Sequence, residues 1–402
     1  MNKAIWDRFR TTSSILVENT SVVFTRFLLN EIDWNWRLNA ILGARGVGKT
    51  TLLLQRMKQS HFKSGEAIYV TLDDYYFSEH RLYHFIEEAR TLGVTHFFLD
   101  EVHKYPGWAR EIKNVYDAIQ DVKVTFTGSS IIEILKQEAD LSRRAIEYQL
   151  PELSFREYLS FNRDVRFDSV NLVDLLENAQ DISSDFSKTI KPLVHFKTYL
   201  ETGAYPFFIE NAEMYGRRLQ RTVQLVIDSD LQFIQGYNPQ NAKKIHQLLY
   251  ILAANVPFKP NIASLSKKIG ITRNTIIQYF HYLEKAEIIQ MIYPSGISTS
   301  ILQKPEKILL QNPNLAYAIA PDAVNSGSLR ESFFVSEGSV DHEVALHRQA
   351  DFIVDGKYTF EVGGLSKQQG QIRDIPNAYL ALDDIEKSVN NTIPLWMFGL
   401  LY

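Results

Sequence analysis

The sequence predicts an α/β protein whose first large domain contains a parallel sheet, and three observations support this fold class. Short apolar runs mark four strand candidates, with amphipathic stretches between them, at residues 40–42, 67–70, 96–99 and 122–126. A glycine-rich turn connects the first run to a helical pattern. Strand and helix signals that alternate in this way are typical of a parallel sheet. The length of 402 residues is too great for one hydrophobic core, so we expect several domains.

The glycine-rich turn is the most specific motif of the chain. It reads Gly-Ala-Arg-Gly-Val-Gly-Lys-Thr and fits G-x-x-x-x-G-K-[ST], the P-loop pattern, at every fixed position. Backbone N–H groups of such a loop surround phosphate oxygens, while its lysine reaches the β- and γ-phosphates and its hydroxyl binds Mg²⁺. The residues predicted to contact ATP are Gly43, Ala44, Arg45, Gly46, Val47, Gly48, Lys49, Thr50 and Thr51, and Thr50 is also a predicted metal ligand.

The third apolar run ends in two acids, Asp100 and Glu101. After a P-loop, a strand that ends in this way indicates a Walker B element. Asp100 would then hold Mg²⁺, and Glu101 would orient or deprotonate the attacking water. The alternative is a pair of solvated acids in a loop.

Polar residues at the end of the next strand candidate are further site candidates. We choose Ser129, with Thr127 second, as the side chain that senses the γ-phosphate or holds the water. Ser129 could instead, or also, cap a helix that starts near Ile131. Just past the two acids, His103 is predicted to be a packed or surface histidine and not a catalyst.

Two adjacent arginines, Arg143 and Arg144, follow in the sequence. An arginine that reaches the γ-phosphate of a neighbouring subunit would stabilise the transition state, and this would imply a homo-oligomer. The alternative is a solvated charge pair on the surface.

Composition excludes several classes of protein. The net charge of −4 gives no global attraction to nucleic acids or acidic membranes. Cysteine is absent, which excludes disulfides, thiolate metal sites and cysteine nucleophiles. We see neither a signal peptide nor an apolar run of about 18 residues that could span a membrane. The expected location is the cytoplasm, without membrane contact.

Changes of pattern along the chain predict five segments. They are a helical lead-in at 1–36, a P-loop ATPase core at 37–152, a helical domain at 153–245, a winged-helix-like module at 246–295 and an α/β C-terminal domain at 296–402.

Together these motifs resemble one branch of the AAA+ ATPases, the archaeal-ATPase-like group of predicted bacterial and archaeal ATPases that carry a C-terminal domain of unknown function. The matching segments are 43–50, 97–103 with the following Trp108, 126–130, 141–144, 153–158 and 203–206. Where the family usually has Leu-Ala-Gly-Arg, this chain has Leu-Ser-Arg-Arg, so Arg144 aligns with the family's arginine. The resemblance covers nearly the whole chain and implies Mg·ATP binding and hydrolysis.

The module at 246–295 has the pattern of a helix-turn-helix. Gly270 supplies the turn and Thr272 caps the second helix. We expect Ile276, Ile277, Phe280 and Leu283 to face inward, and Arg273, Asn274, Thr275 and Gln278 to be free to meet DNA. Contact with another protein is the alternative use of such a module.

Three acids in the last segment have the order of a metal-dependent nuclease. Glu331 lies in a predicted helix, and Asp351 and Glu361 lie on two predicted strands, an arrangement that resembles the restriction-endonuclease-like core. Active members have Glu-x-Lys at the second strand, whereas Gly363 stands here in place of the lysine and Lys367 is off register. We therefore expect an inactive domain, although the acids could still bind metal.

The sequence thus favours an AAA+ ATPase that uses Mg·ATP hydrolysis as a conformational switch. Two alternatives remain: an ATP-gated protein that binds or cleaves DNA, and a signalling scaffold that binds ATP with negligible turnover.

Overall fold

A computed structural model describes residues 2–60, 62–63, 65–129, 141, 143–163, 165–234, 237–296, 305–367, 370 and 372–402. The chain forms two compact units, residues 1–151 and residues 152–402. Across the described ranges, every helix is too short or too polar to traverse a lipid bilayer.

The first unit is built on a five-stranded parallel sheet in the order β2-β3-β4-β1-β5. Its strands are β1 (Leu38–Gly43), β2 (Ala67–Thr71), β3 (His96–Asp100), β4 (Lys123–Ser129) and β5 (Ile146–Gln149). The four predicted strands are therefore present. All strands run in the same direction, so their carboxyl ends, where the predicted site residues other than Arg144 lie, are on the same side of the sheet.

Helices cover this sheet and bury its apolar strands. They are α1 (Lys3–Asn19), α2 (Leu28–Glu31), α3 (Lys49–Gln59), α4 (Tyr76–Glu79), α5 (Leu82–Thr91) and α6 (Trp108–Ala118). Trp6 and Phe9 of α1 join the core cluster that includes β1 to β4. Arg8 Nη1 donates to Asp74 Oδ2 at 2.7 Å, which attaches α1 to the segment after β2.

Strand β5 is not among the strands predicted from the sequence. It has only four residues, and its side chains alternate between half-buried and exposed because it lies at an edge of the sheet. Its sequence therefore lacks the apolar run that marks the other strands. The predicted helix start near Ile131 lies outside the described residues, as do Ser130 and Ser142.

The second unit begins with helices and ends with a mixed sheet. Its helices are α7 (Phe155–Arg163), α8 (Leu172–Glu177), α9 (Ala179–Thr189), α10 (Pro192–Thr202), α11 (Tyr215–Asp228), α12 (Ala242–Ala253), α13 (Ile262–Ile269), α14 (Arg273–Lys285), α15 (Asn314–Ile319) and α16 (Ser326–Gly338). Its strands are β6 (Ile289–Ile292), β7 (Lys307–Leu310), β8 (Val344–Leu346), β9 (Phe352–Val354), β10 (Tyr358–Gly363), β11 (Ala378–Leu382) and β12 (Thr392–Pro394).

Helices α13 and α14 are joined by a tight turn at Gly270, whose φ of 72° is left-handed. The Thr272 side chain accepts a hydrogen bond from the Thr275 backbone N–H and caps α14. Strands β6 and β7 then pair as an antiparallel ribbon. Ile276, Phe280 and Leu283 are buried, as are two tyrosines of α14, while Ile277 is half-buried.

The C-terminal sheet has the order β12-β11-β10-β9-β8 and mixes both strand directions. Strand β10 pairs with β11 in parallel and with β9 in antiparallel fashion. Phe360 of β10 is opposite Phe352 of β9, so the next residue outward on each strand, Glu361 and Asp351, come together at the end of the pair. A C-terminal α/β fold is thus present as predicted.

Candidate functional site: the P-loop edge of the parallel sheet

The predicted P-loop is a real loop between strand β1 and helix α3. Helix α3 begins at Lys49, and its N-cap is Gly48, with a left-handed φ of 103° that a residue with a Cβ adopts only at a cost. At Gly43 a Cβ would collide with the Leu150 carbonyl O of the neighbouring segment. The glycines are therefore required by backbone conformation and by close approach.

Lys49 is buried, and its ammonium lies within the loop. Lys49 Nζ donates to Gly43 O at 2.9 Å and to Ala44 O at 2.8 Å. A second cation supports the loop from outside: buried Arg26 donates to Val47 O at 2.7 Å and to Pro151 O at 2.8 Å. Arg26 lies in no recognisable motif, so the sequence gives no signal for these contacts.

Asp100 is held by three hydroxyl groups from three different elements. Thr50 Oγ1 donates to Asp100 Oδ2 at 2.7 Å, and Tyr69 Oη donates to the same oxygen at 2.7 Å. Thr127 Oγ1 donates to Asp100 Oδ1. The loop threonine and the strand acid, predicted separately as metal ligands, are thus in direct contact.

Tyr69 was not predicted as a site residue. It is buried in the middle of β2. Burial first, and then the charge and hydrogen bond of Asp100, raise the pKa of Tyr69. The phenol therefore keeps its proton and acts as a donor to Asp100. A tyrosine among strand residues gives no sequence signal for this contact, because it depends on the position of β2 beside β3.

Glu101 follows β3 with a left-handed backbone, φ 55°. This conformation is unusual for a residue other than glycine and costs about 1 kcal/mol. The Glu101 backbone N–H donates to Thr127 Oγ1 at 3.1 Å. Its carboxylate Oε2 lies 3.2 Å from Nε2 of buried His103. His103 is thus packed, as expected, and it also faces the predicted base.

Ser129, our first choice as sensor, ends β4 beside the first glycine of the P-loop, with Gly43 and Ser129 in register. It is buried at the carboxyl edge of the sheet. Thr127, the second choice, is the residue that contacts Asp100 and the Glu101 backbone. Both predicted residues therefore line the same edge, with different neighbours.

Arg144 lies away from the P-loop of its own chain. It precedes β5, whose first residue, Ile146, is in register with Asn39 near the start of β1. The P-loop follows the other end of β1. Arg144 Nε donates to Asp117 Oδ1 of α6 at 2.8 Å. Within one chain, the Arg144 side chain therefore contacts α6 and lies away from the phosphate loop.

The comparisons with known proteins agree with this architecture. Residues 35–159 match a family model described as an AAA domain. This part of the chain is similar to an AAA domain. Residues 193–324 match a domain of unknown function, DUF8612. The family match and the parallel sheet together confirm the predicted resemblance and the predicted P-loop core of the AAA+ fold.

Individual relatives are distant. An uncharacterized protein of Methanocaldococcus jannaschii is 27% identical over 281 residues, which are 67% of this chain and 59% of that protein. The match thus spans about three fifths of that relative's length. AMPPCP-bound DnaA from Aquifex aeolicus is 18% identical, with 69% of this chain and 88% of that chain covered and a TM-score of 0.28. The Aeropyrum pernix ORC1 protein in complex with DNA is 14% identical, with 71% and 87% covered and a TM-score of 0.31.

The donor set at the P-loop edge suits a magnesium nucleotide. Thr50 and Asp100 offer hydroxyl and carboxylate oxygens, the ligands that Mg²⁺ prefers. Lys49 lies where it can exchange loop carbonyls for phosphate oxygens. Bound Mg²⁺ would supply charge neutralisation at the phosphates. The protein itself would contribute the backbone cradle, the ammonium of Lys49 and the carboxylate of Glu101.

Proposed function

We propose that the AAA domain binds and hydrolyses Mg·ATP, and that hydrolysis drives a conformational switch. The observation that carries this proposal is the hydrogen bond between Thr50 of the loop and Asp100 of β3. It joins the two halves of a nucleotide site that lie far apart in the sequence. Glu101, the next residue, is proposed to act on the attacking water.

The proposed step is attack of water on the γ-phosphorus. The oxygen of water forms a new bond to phosphorus while the bond to the β-γ bridging oxygen breaks, and Glu101 accepts a proton from the water. Lys49 stabilises negative charge on the phosphate oxygens. Ser129 is proposed to contact the γ-phosphate, and Arg144 to reach the γ-phosphate of a neighbouring copy.

Three variants separate binding from chemistry. Lys49→Ala should abolish turnover and weaken ATP binding, because the only ammonium inside the loop is removed. Asp100→Asn should make binding insensitive to Mg²⁺. Glu101→Gln should retain Mg·ATP but lower kcat by about 10²–10⁴-fold, the usual contribution of a general base. Fluorescent-nucleotide binding and phosphate release measure the two properties.

Glu87→Gln is the matched control for Glu101→Gln, because Glu87 is an exposed acid of α5. A folded Lys49→Ala variant that binds and hydrolyses ATP like the unmodified protein would remove the proposal. Tight binding without turnover in the unmodified protein would instead favour a signalling scaffold.

A second candidate function, DNA binding, is favoured by the exposed face of α14. Arg273, Asn274 and Gln278 are exposed, and Lys267 and Lys268 are exposed on the preceding helix. A winged-helix-like module could place such residues against a duplex. The double variant Arg273→Ala/Asn274→Ala should then reduce DNA affinity, measured by fluorescence anisotropy, by about tenfold or more. Equal affinity in both proteins would argue for a protein-contact role.

A further inference from the structure

Arg26 is a buried cation beside the P-loop that the proposed reaction does not use. Its guanidinium holds the backbone carbonyls of two different segments. Nη1 donates to Val47 O of the loop at 2.7 Å, and Nη2 donates to Pro151 O after β5 at 2.8 Å. A guanidinium keeps its charge when buried, and its planar fork of donors holds two acceptors in a fixed geometry. The side chain therefore ties the P-loop to the segment that follows the edge strand.

The segment after β5 forms one wall of the loop. The Leu150 backbone N–H donates to Leu42 O at 2.7 Å, and the Leu150 carbonyl lies where a Cβ on Gly43 would stand. The buried side chain of Val47 comes within 3.2 Å of the same Cβ position. Because Arg26 joins Val47 to this wall, the carbonyl that it holds has little freedom to turn.

Helix α3 and the start of α2 hold Arg26 itself in place. Buried Gln55 of α3 donates through Nε2 to Ser21 O at 2.8 Å and to Phe24 O at 2.7 Å. At the start of α2, the Leu29 N–H donates to Arg26 O at 3.1 Å. The chain is thus attached on both sides of Arg26. A guanidinium fixed in this way before a ligand arrives costs little further entropy when the ligand binds.

The carbonyl that Arg26 holds also determines where the next N–H points. The peptide unit between Val47 and Gly48 is planar and trans, so the Gly48 N–H points to the side opposite Arg26. Helix α3 begins at the next residue, Lys49, and the N–H groups of its first turn have no acceptor within the helix. Consecutive donors of this kind at a helix N-terminus are suited to phosphate oxygens.

We propose that Arg26 is a positioning residue for phosphate binding. By holding Val47 O, it keeps the Gly48 N–H directed at the nucleotide while Lys49 exchanges loop carbonyls for phosphate oxygens. This inference rests on the proposed function of the P-loop and adds a residue from outside the motif. A backbone contact of this kind acts before and during the reaction, so its loss weakens binding and leaves kcat nearly unchanged.

The test compares two arginines of the first unit that each hold two backbone carbonyls. Arg26→Lys keeps the positive charge and removes the fork, and Arg26→Gln is the second variant in case the lysine variant does not fold. Arg37→Lys is the matched control. Arg37 Nη2 donates to Tyr116 O and to Ile119 O, each at 2.9 Å, and Arg37 precedes β1, whereas the P-loop follows it.

Titration of the full-length proteins with a fluorescent ATP analogue in Mg²⁺ gives the affinity, and thermal unfolding without nucleotide gives the stability. We expect Arg26→Lys to bind Mg·ATP about 10–100-fold more weakly, the loss typical of a hydrogen bond from a charged donor. Its kcat at saturating ATP should stay within about threefold of the unmodified value. Arg37→Lys should lower the melting temperature and leave the affinity unchanged.

A folded Arg26→Lys variant that binds Mg·ATP like the unmodified protein would overturn the inference, even if it melts at a lower temperature. If Lys49→Ala loses binding in the same assay, the proposed function survives that result. Equal losses of affinity in Arg26→Lys and Arg37→Lys would also overturn the inference, because they would reflect a general loss of structure. An unmodified protein that binds no Mg·ATP would overturn the inference and the proposed function together.

Discussion

Both oxygens of the Asp100 carboxylate accept hydroxyl donors, and one of these, from Tyr69, has no place in the nucleotide-binding motifs. Groups that orient a metal ligand typically change metal affinity by about 10–100-fold when removed. We expect Tyr69→Phe to raise the Mg²⁺ concentration for half-maximal ATP hydrolysis by about tenfold. At saturating Mg²⁺ the rate should recover, because the phenol is expected to act through its hydrogen bond to Asp100.

Tyr75→Phe is the matched control, since the Tyr75 hydroxyl contacts exposed Glu79 and not the site. An unchanged Mg²⁺ dependence in Tyr69→Phe would show that Thr50 and Thr127 suffice to orient Asp100.

At this scale, the sequence predicts residues whose chemistry belongs to a local motif, such as Lys49 and Asp100. It does not predict Tyr69 or Arg26, whose contacts depend on which segments the fold places side by side.

At the scale of secondary-structure elements, a buried hydrogen bond between Tyr199 and Glu337 connects helices α10 and α16. The hydroxyl of Tyr199 lies 2.7 Å from Glu337 Oε1 and 2.8 Å from Leu153 O. A phenol has one proton, so it cannot donate to both oxygens at once. Burial raises the pKa of Glu337 well above its usual range. A protonated Glu337 supplies the second hydrogen at Oε1, so that Tyr199 can donate to Leu153 O, whereas Glu337 Oε2 has no hydrogen-bond partner among the described residues.

This arrangement predicts a specific pH dependence. The pKa of Glu337 is higher in the folded state than in the unfolded chain. The stabilisation that Glu337 provides is therefore fully present below the unfolded pKa of about 4.3. It is lost as the pH rises toward the folded pKa. Glu337→Gln imitates the neutral acid. We expect it to match the unmodified protein at pH 4 and to be more stable at pH 7.5, by roughly 1–3 kcal/mol, in thermal unfolding experiments.

Exposed Glu386 provides the control, and Glu386→Gln should not alter the pH dependence. Lower stability of Glu337→Gln at pH 7.5 than at pH 4, relative to the unmodified protein, would mean that Glu337 is ionised when folded. Most elements follow from the hydrophobic pattern, as strands β1 to β4 of the first unit illustrate. Strand β5 does not, because an edge strand with alternating exposure resembles a polar loop.

At the scale of the whole molecule, the position of Arg144 is relevant to the assembly of several copies. Arg144 lies near the amino-terminal ends of β1 and β5, whereas the P-loop follows the carboxyl end of β1. Its side chain donates a hydrogen bond to Asp117. If Arg144 acts on nucleotide, it acts on that of another copy. We expect ATP to increase the particle mass in light-scattering experiments. The Arg144→Ala variant should then hydrolyse ATP about 10³-fold or more slowly than the unmodified protein.

Mixing provides the decisive measurement. Arg144→Ala and Glu101→Gln are each defective, but at a mixed interface one copy supplies the intact base and its neighbour supplies the intact arginine. The mixture should therefore regain part of the activity. Arg90→Ala is the control, because Arg90 is an exposed arginine paired with Asp121. A monomer with full activity in the Arg144→Ala variant would assign Arg144 to helix α6 alone. Assembly is not predictable from one chain's pattern, because the contacts that decide it lie on a second copy.

A Cβ on Gly363 would overlap Cγ of Lys367. We therefore expect these two positions to evolve together. Any side chain at 363 meets the lysine stem, so a substitution there is harmful while Lys367 keeps its length. Shortening residue 367 first would open position 363 to larger residues, whereas the reverse order passes through a crowded intermediate. The two sites should therefore change in a fixed order, and a tolerated exchange at one of them carries information about the other.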